Sequence, residues 1–490
     1  MKRDRSIIVA LMLLAACLLA SPARGQGSVP GPASQPAPPP RAFTLTVSPA
    51  AQPEPALRYL LLPDLMDTPT GNAALLYHMA MEMMPADQDG NLAERIANWL
   101  DVPADKLPRK EIEDALGKYG TSFRQMELAA RRDKCDWDLP ARTEGISLIL
   151  PPLSKYRALA RASALRARLH AADGNFDAAV HDLQTGYAMA RHVAEGPTLI
   201  ESLVGIAVAG LMNSATQELA QAKGGPNLYW AIASLPRPFI SLRRPLDFER
   251  SWILLGANAG ILRKAAYGER LTDQEIAALP AELGKMWESF SQGFGPQGVE
   301  DDVGWRLALT ASSIKIYPLA KNRLAKLGYT PEQIEKMPIA QVVAMQTLGR
   351  YLYWRDELNK WQALPYPQAA IGMAKTEKAL GAATDKSVEE GWPFTTLLPS
   401  ISRAGFVAAR LDRQLGAMMA IEAVRLYAAA HDGKAPAGLD EMTDPPALPD
   451  PITGKPFQYQ RTEDGFVITC PNPPQFQDSP SEVYKVTLRK

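Results

Sequence analysis

The stretch "LSKYRALARASALRARLHAADGNFDAAVHDLQTGYAMARHVA" at residues 153–194 carries the clearest structural pattern in the chain. In its first half, small and apolar residues recur at alternating steps of four and three, which is the spacing of one helix face: Ala158, Ala162, Leu165, Leu169 and Ala172. The triplet "DGN" at 173–175 then interrupts the pattern. The first half therefore predicts a helix that ends at this triplet.

The second half of the stretch predicts another helix, marked by Phe176, Ala179, Val180, Leu183 and Tyr187. Small residues on the facing sides favour close packing of the two helices as an antiparallel hairpin. The run "GNFDAA" at 174–179 is similar to the middle of a tetratricopeptide repeat. A solenoid needs about three repeats to bury its faces, and only one convincing unit is present. We therefore predict one TPR-like hairpin and not a repeat array.

Long Ala-, Leu-, Met-, Arg- and Glu-rich runs broken by prolines predict helices through the rest of a helical domain at 58–400. The predicted spans are 198–221, 244–267, 272–289, 304–326, 338–363 and 366–382. The run "LVGIAVAGLM" at 203–212 is too short to cross a bilayer and predicts a buried core helix. A last long helix is predicted over 402–430, with Gly433 ending it.

The composition changes after that helix. "FQYQ" at 457–460 and "GFVITC" at 465–470 are typical of strands, and "RTEDG" between them predicts a hairpin turn. "VYKVTLRK" at 483–490 predicts a third strand. The predicted fold is therefore mainly α, with stacked helical hairpins and a small antiparallel β-module on a long helix at 401–490.

The N-terminus predicts export. Residues 1–25 combine a basic start, an apolar run and small residues before Gln26, as in a signal peptide. "LAAC" at 14–17 leaves open an alternative, a lipoprotein acylated at Cys17. Residues 26–57 are Pro-rich and predict a disordered linker, within which "FTLTVS" at 43–48 has the alternation of a strand.

Charge and cysteine content narrow the function classes. The chain has 53 basic and 53 acidic residues, so its net charge gives no reason to expect nucleic acid as a partner. Cleavage of the signal would leave Cys135 and Cys470. An exported protein can form a disulfide between them, but two unpaired thiols are the simpler interpretation, and both alternatives stay open here.

Two motif matches fail in their context. "GFGPQG" at 293–298 matches G-x-G-x-x-G, but a predicted helix precedes it where a dinucleotide site needs a strand. "DQDGNL" at 87–92 starts like an EF-hand loop, but the required Gly is Leu92 and the required Glu is Asn98. We interpret both as loops.

The titratable residues also favour structural roles. The triplet "EDD" at 300–302 precedes a predicted helix and would complement its dipole. His170, His181 and His192 are spaced by eleven residues, so the last two lie about 16 Å apart along a helix and cannot share a metal. His78 and Glu82 are four residues apart, but the H-E-x-x-H zinc motif is absent.

Glu422 and Arg425 share the apolar face of the last long helix with Val407, Leu411, Leu415 and Met418. This placement predicts a buried ion pair that ties the helix to the body.

Several stretches spread over most of the chain resemble a family of uncharacterised exported bacterial proteins of the planctomycete type. They are "PTGNAALLYHMA" (69–80), "CDWDLP" (135–140), "GPTLIESLVGIAVAGLM" (196–212), "NLYWAIASLPRP" (227–238), "RLYAAAHDGKAPAGLDEM" (425–442) and "LPDPITGKPFQY" (448–459). The resemblance implies export but carries no activity.

About the last 85 residues also resemble the globular end of the type II secretion major pseudopilin, through Tyr427, Gly433, Asp450-Pro451 and Phe457 after a long helix. The run "DPITGKPFQY" at 450–459 has one residue more than the pseudopilin pattern D-P-W-G-x-P-Y-x-Y and lacks its Trp. The resemblance implies a helix lying on a small sheet. Such modules can hold calcium, which would lie near Asp450.

The sequence therefore favours an exported envelope scaffold or interaction protein with a protein partner, without nucleic acid and without a membrane span after signal cleavage. We predict no catalytic residue, no cofactor and no metal site. Two alternatives remain: an enzyme of unrecognised type, such as a hydrolase, and an accessory of a secretion or pilus-like system. Convergence of His431, Asp432 or Glu300–Asp302 in one pocket would favour the enzyme.

Overall fold

The computed structural model describes residues 38–86, 91–145, 148–251, 254–255, 259–279, 281–282, 302–384 and 398–489. Over these ranges the protein is mainly α-helical, with one small four-stranded sheet, as the sequence predicts. The first helices are α1 (Ala74–Glu82), α2 (Leu92–Trp99), α3 (Arg109–Gly117), α4 (Gly120–Ala130), α5 (Ala141–Glu144), α6 (Leu153–Ala172), α7 (Phe176–Ala194) and α8 (Leu199–Gln221). The later ones are α9 (Tyr229–Ala233), α10 (Arg243–Ser251), α11 (Ala259–Tyr267), α12 (Asp302–Lys326), α13 (Pro331–Glu335), α14 (Ile339–Asn359), α15 (Tyr366–Thr384) and α16 (Pro399–Ala430).

The stretch at 153–194 folds as two helices, α6 and α7, which confirms the predicted pair of helices separated by a turn. Gly174 takes a φ of +75°, a conformation that suits glycine and turns the chain after α6. The Asn175 side chain then accepts a hydrogen bond from the Ala178 N–H and caps α7. The two helices pack on each other through fully buried residues such as Leu165 and Leu183.

Helix α8 packs against both members of this pair. A capping box at Thr198 and Glu201 starts it. Among the described helices it is the one whose length and composition would allow it to cross a membrane, but 72% of its most apolar window is buried inside the protein. It also carries buried polar residues such as Asn213 and Gln217, and it serves as the central helix of the core.

The other helix predictions largely hold. The predictions for 198–221, 304–326, 338–363 and 366–382 are confirmed within a few residues, with a short 3₁₀ turn closing the third. The span 244–267 contains two helices, α10 and α11. In the span 272–289, residues 273–279 and 281–282 are helical, and the rest lies outside the described residues.

The last helix, α16, ends as predicted. Gly433 has a φ of +76°, and its N–H donates to the Ala428 carbonyl at 2.8 Å. This left-handed glycine closes the helix and sends the chain toward the sheet.

The sheet has the order β1-β4-β3-β2, with β1 at Arg41–Val47, β2 at Gln458–Arg461, β3 at Gly465–Cys470 and β4 at Glu482–Leu488. The three C-terminal strands pair antiparallel, as predicted. Strand β1 pairs parallel to β4, so the complete sheet is mixed and joins the two ends of the described chain.

Strand β1 corrects one prediction. Residues 26–57 are predicted to be a disordered linker, but 41–47 form β1, and the chain from 48 to 57 is partly buried. Leu45 and Val47 alternate inward and are buried in the core, as the strand pattern of "FTLTVS" predicts. The prolines of this segment lie on either side of the strand and not within it, so the composition of 26–57 as a whole does not reveal the strand.

Buried charges fasten the sheet to α16. Glu482, which is fully buried, accepts hydrogen bonds from Arg410 at 2.8 Å and from Gln414 at 2.6 Å. Arg413, also fully buried, lies 3.4 Å from the same carboxylate and donates to the Pro471 carbonyl. The attraction between these opposite charges offsets the free-energy cost of removing them from water.

Cys135 and Cys470 are both buried and unpaired. The two cysteines therefore do not form a disulfide with each other in this structure. Burial raises the pKa of both thiols, which keeps them protonated.

Candidate functional site

Two of the cavities that α10 lines share several residues. The larger, of about 1200 Å³, lies between α10, the segment 356–369, α16 and the turn at 449–454, and we call it the long groove. The smaller, of about 500 Å³, lies between α10 and the C-terminal end of α7, and we call it the arginine pocket. Both are lined by Arg243 and Asp247, so the two cavities adjoin along α10.

The long groove combines an apolar lining with charges of both signs. Its apolar part comes from Leu242, Leu246, Leu364, Ala408, Ala409, Pro365, Pro367 and Pro451. Its charged part comes from Arg237, Arg243, Arg250, Lys360, Asp247, Asp356, Asp412 and Asp450. Such a mixture is typical of protein interfaces, in which a polar rim surrounds an apolar centre.

Two carboxylates of the long groove are already bonded to the protein backbone. Asp412 accepts a hydrogen bond from the Phe239 N–H at 2.9 Å, and burial raises its pKa to about 6 against the opposing effect of Arg237. Asp450 accepts the Ile452 N–H at 2.8 Å and the Thr453 hydroxyl at 3.2 Å, and burial raises its pKa as well. These bonds hold the groove walls in place.

The Asp-Pro turn therefore has a structural role at Asp450. The Gly454 N–H also donates to the Asp450 carbonyl at 2.8 Å, and the Asp450 N–H donates to the Lys455 carbonyl at 2.9 Å. Across the described ranges, no group of three or more His, Cys, Asp or Glu residues is arranged to hold a metal ion.

Three arginines line the arginine pocket: Arg191 from the last turn of α7, and Arg243 and Arg244 from the first turn of α10. All three are exposed. In the part of the chain that the structure describes, no carboxylate lies within ion-pair distance of any of them. Phe239 and Ile240 form an apolar wall beside them.

Glu195 and Asp247 are the acidic residues that line the arginine pocket, and Glu195 is bonded to the backbone. Its Oε2 accepts the Cys135 N–H at 3.2 Å. Burial raises the pKa of Glu195, and this bond and the charges of Arg191 and Arg244 oppose the rise. Glu195 also lines a neighbouring cavity of about 530 Å³, which Trp137 borders.

Glu201 lies next to this cavity at the start of α8. Its Oε2 accepts both the N–H and the hydroxyl of Thr198 at 3.1 Å, and burial raises its pKa to about 7. A β-carbon on Gly196 would collide with this carboxylate, so the glycine allows the close approach. Glu249 on α10 accepts the Leu199 N–H at 3.3 Å. Carboxylates thus accept hydrogen bonds from the N–H groups of Thr198 and Leu199 at the start of α8.

An aromatic cluster lies beside the cavity that Trp137 borders. The Trp137 Nε1–H donates to the His192 carbonyl at 2.9 Å, and the Tyr77 hydroxyl lies 2.9 Å from His192 Nδ1. Burial lowers the pKa of His192 to about 4, so the ring is neutral. Trp137 therefore fixes the loop that contains "CDWDLP" to the end of α7.

The other histidines contact different partners. His170 pairs with Asp182 at 2.9 Å between α6 and α7, and His181 contacts Arg131 at 3.1 Å. His78 packs edge-on against Trp137. His431 is exposed and stacks on Tyr427 just after α16.

The predicted pair of Glu422 and Arg425 is confirmed. Both side chains are buried, and they lie 2.8 Å apart. Arg425 also donates to the carbonyls of Ser48, Gly225 and Pro226. The pair therefore joins α16 to the segment after β1 and to the loop before α9.

Several predictions fall outside the described residues. They are the signal at 1–25 with Cys17, the first four residues of "DQDGNL", the run "GFGPQG", and Glu300 and Asp301. Sequence reasoning missed the three arginines of the pocket. The adjacent pair in "SLRRPLDFER" at 241–250, at the start of a helix, was the available signal.

Comparison of the chain with known protein families, with curated proteins and with solved structures finds no match. The resemblances to the planctomycete-type family and to pseudopilins therefore stay predictions.

Proposed function

We propose that this protein is an exported interaction protein of the cell envelope that binds an extended polypeptide segment in the long groove. The observation that carries the proposal is the groove itself. At about 1200 Å³ it is larger than the range of about 300–1,000 Å³ typical of small-molecule sites. Its lining of apolar and charged residues suits a polypeptide with alternating apolar and polar side chains.

A binding role fits the groove's chemistry better than a catalytic one. Asp412 and Asp450 each accept a hydrogen bond from a backbone N–H group, which gives both carboxylates a structural role in the groove wall. His431, which the enzyme alternative would place in a pocket, is exposed and stacked on Tyr427, and it lines neither cavity at α10. The contacts of Asp412 and Asp450 support a binding role, because they fix the shape of the groove walls.

The test is site-specific photo-cross-linking in the native cell envelope. A photoreactive amino acid replaces Leu364, which lines the long groove and is 45% exposed. The matched control replaces Leu128 on α4, which is 47% exposed and lies outside these cavities. We expect an adduct at position 364 only, with cross-links confined to one segment of one polypeptide.

A synthetic peptide of that segment should bind the purified protein and should suppress cross-linking at position 364. The same adducts at both positions, or none at position 364, would contradict the proposal. The identity of the captured polypeptide decides whether the protein serves a secretion system, because a pseudopilus or secretion component would support that alternative.

A further inference from the structure

The arginine pocket holds more positive charge than its own acidic groups balance. Arg191, Arg243 and Arg244 contribute three guanidinium groups, against Glu195 and Asp247. Asp247 is exposed and lies 3.7 Å from Arg250, which lines the long groove. Glu195 is anchored to the Cys135 N–H, and burial disfavours its charged form. The pocket therefore has a net positive charge.

The three arginines share one cavity. They extend from two helices, α7 and α10, into one cavity of about 500 Å³ that is bounded by Phe239 and Ile240. A guanidinium presents a planar set of N–H donors that matches a carboxylate in a bidentate manner. The apolar wall suits the methylene groups that carry such a carboxylate.

The position of the pocket ties it to the long groove. Pro238, Ile240, Ser241, Arg243 and Asp247 line both cavities. A polypeptide that lies in the groove can therefore place a neighbouring side chain in the pocket without leaving the surface of the protein.

We infer that the arginine pocket is the specificity site of the groove and binds an acidic side chain, Asp or Glu, of the bound polypeptide. This inference rests on the proposed function. Arg191, Arg243 and Arg244 hold the carboxylate, and Phe239 and Ile240 contact its aliphatic part.

The test compares two fluorescein-labelled peptides, (Glu-Pro-Ala)₃ and (Gln-Pro-Ala)₃, in fluorescence polarisation with the full-length protein. The Glu peptide should bind about tenfold more tightly than the Gln peptide at low ionic strength. This preference should shrink as salt is added, because the arginines are exposed and salt screens them.

Charge-removing variants locate the effect. R191Q and the double variant R243Q/R244Q should bind the Glu peptide no better than the Gln peptide. The control R263Q removes an exposed arginine of α11 that lies outside both cavities, and it should keep the full preference. Circular dichroism of each variant checks that the helical fold is retained.

Four results would overturn the inference: equal binding of the two peptides, binding of neither peptide, a Glu preference that survives in R191Q and R243Q/R244Q, or a preference that R263Q loses equally. Cross-linking at position 364 tests polypeptide binding in the long groove, and its result does not depend on the charge of the two peptides. An adduct there together with no Glu preference would reject the carboxylate site and leave polypeptide binding intact.

Discussion

The close crossing of α7 and α8 can be tested by adding a single methyl group. A β-carbon built on Gly205 of α8 lies 2.5 Å from the Ala190 carbonyl oxygen and 2.8 Å from the Ala194 β-carbon, both on α7. Gly210, on the same helix, has no atom within 4 Å of its β-carbon position. The variants G205A and G210A are therefore a matched pair.

The expected sizes follow from two effects. Alanine favours an α-helix over glycine by about 0.8–1 kcal/mol, and this gain applies to both variants. At Gly205 the methyl group meets backbone, which yields only if α7 moves, and overpacking of this kind costs about 1–3 kcal/mol. The helix preference cancels in the comparison, so the free energy of unfolding of G205A should be lower than that of G210A by about 1–3 kcal/mol.

The assay is urea unfolding followed by tryptophan fluorescence and by circular dichroism. G210A should unfold at the same or a higher urea concentration than the wild type, and G205A at a lower one, with similar slopes. If G205A proved as stable as G210A, the two helices would not approach each other as closely as described. The packing of α8 against α7 would then need revision.

Two further predictions concern buried charges. The pKa of Glu201 rises through burial from 4.5 to about 7. The folded protein therefore binds more protons than the unfolded chain between these values, and it loses roughly 3 kcal/mol of stability as the pH rises across that window. Thermal unfolding from pH 4.5 to 8 should show E201Q gaining on the wild type as the pH rises, and an unchanged difference would refute the assignment. R425A leaves Glu422 buried without its partner and should lower the free energy of unfolding by about 3–5 kcal/mol in the urea assay. R403A, which removes an exposed ion pair on the same helix, should lower it by about 1 kcal/mol or less, and equal losses in the two variants would contradict the buried pair.

Local signals explain why the helices were predictable. The ends of α6 and α16 depend on "DGN" and on Gly433, and each acts within a few residues of the helix it ends. The pair of Glu422 and Arg425 was visible because both lie three residues apart on one helix face. Such features require only the helical period and the chemistry of the chain next to them.

Long-range features were not predictable for the opposite reason. Strand β1 pairs with β4, which lies more than 400 residues away, and nothing in "RAFTLTV" states a partner or a direction. Arg413 and Glu482 are both fully buried, yet each alone resembles a surface residue in the sequence. The long groove draws its lining from four separate parts of the chain, so no single window contains its pattern.

The small C-terminal module is best understood as a wall of the groove. Its Asp-Pro turn lines the long groove, as α10 does, and hydrogen bonds to Asp450 hold the shape of that turn. The turn leads into the sheet, which Glu482 fastens to α16, the helix that supplies another part of the lining. Strand β1 completes the same sheet, and Arg425 binds the carbonyl of Ser48 just after it. Strand β1 and the three C-terminal strands thus form one sheet, although more than 400 residues separate them along the chain. The position of one wall of the groove therefore depends on contacts between these distant segments.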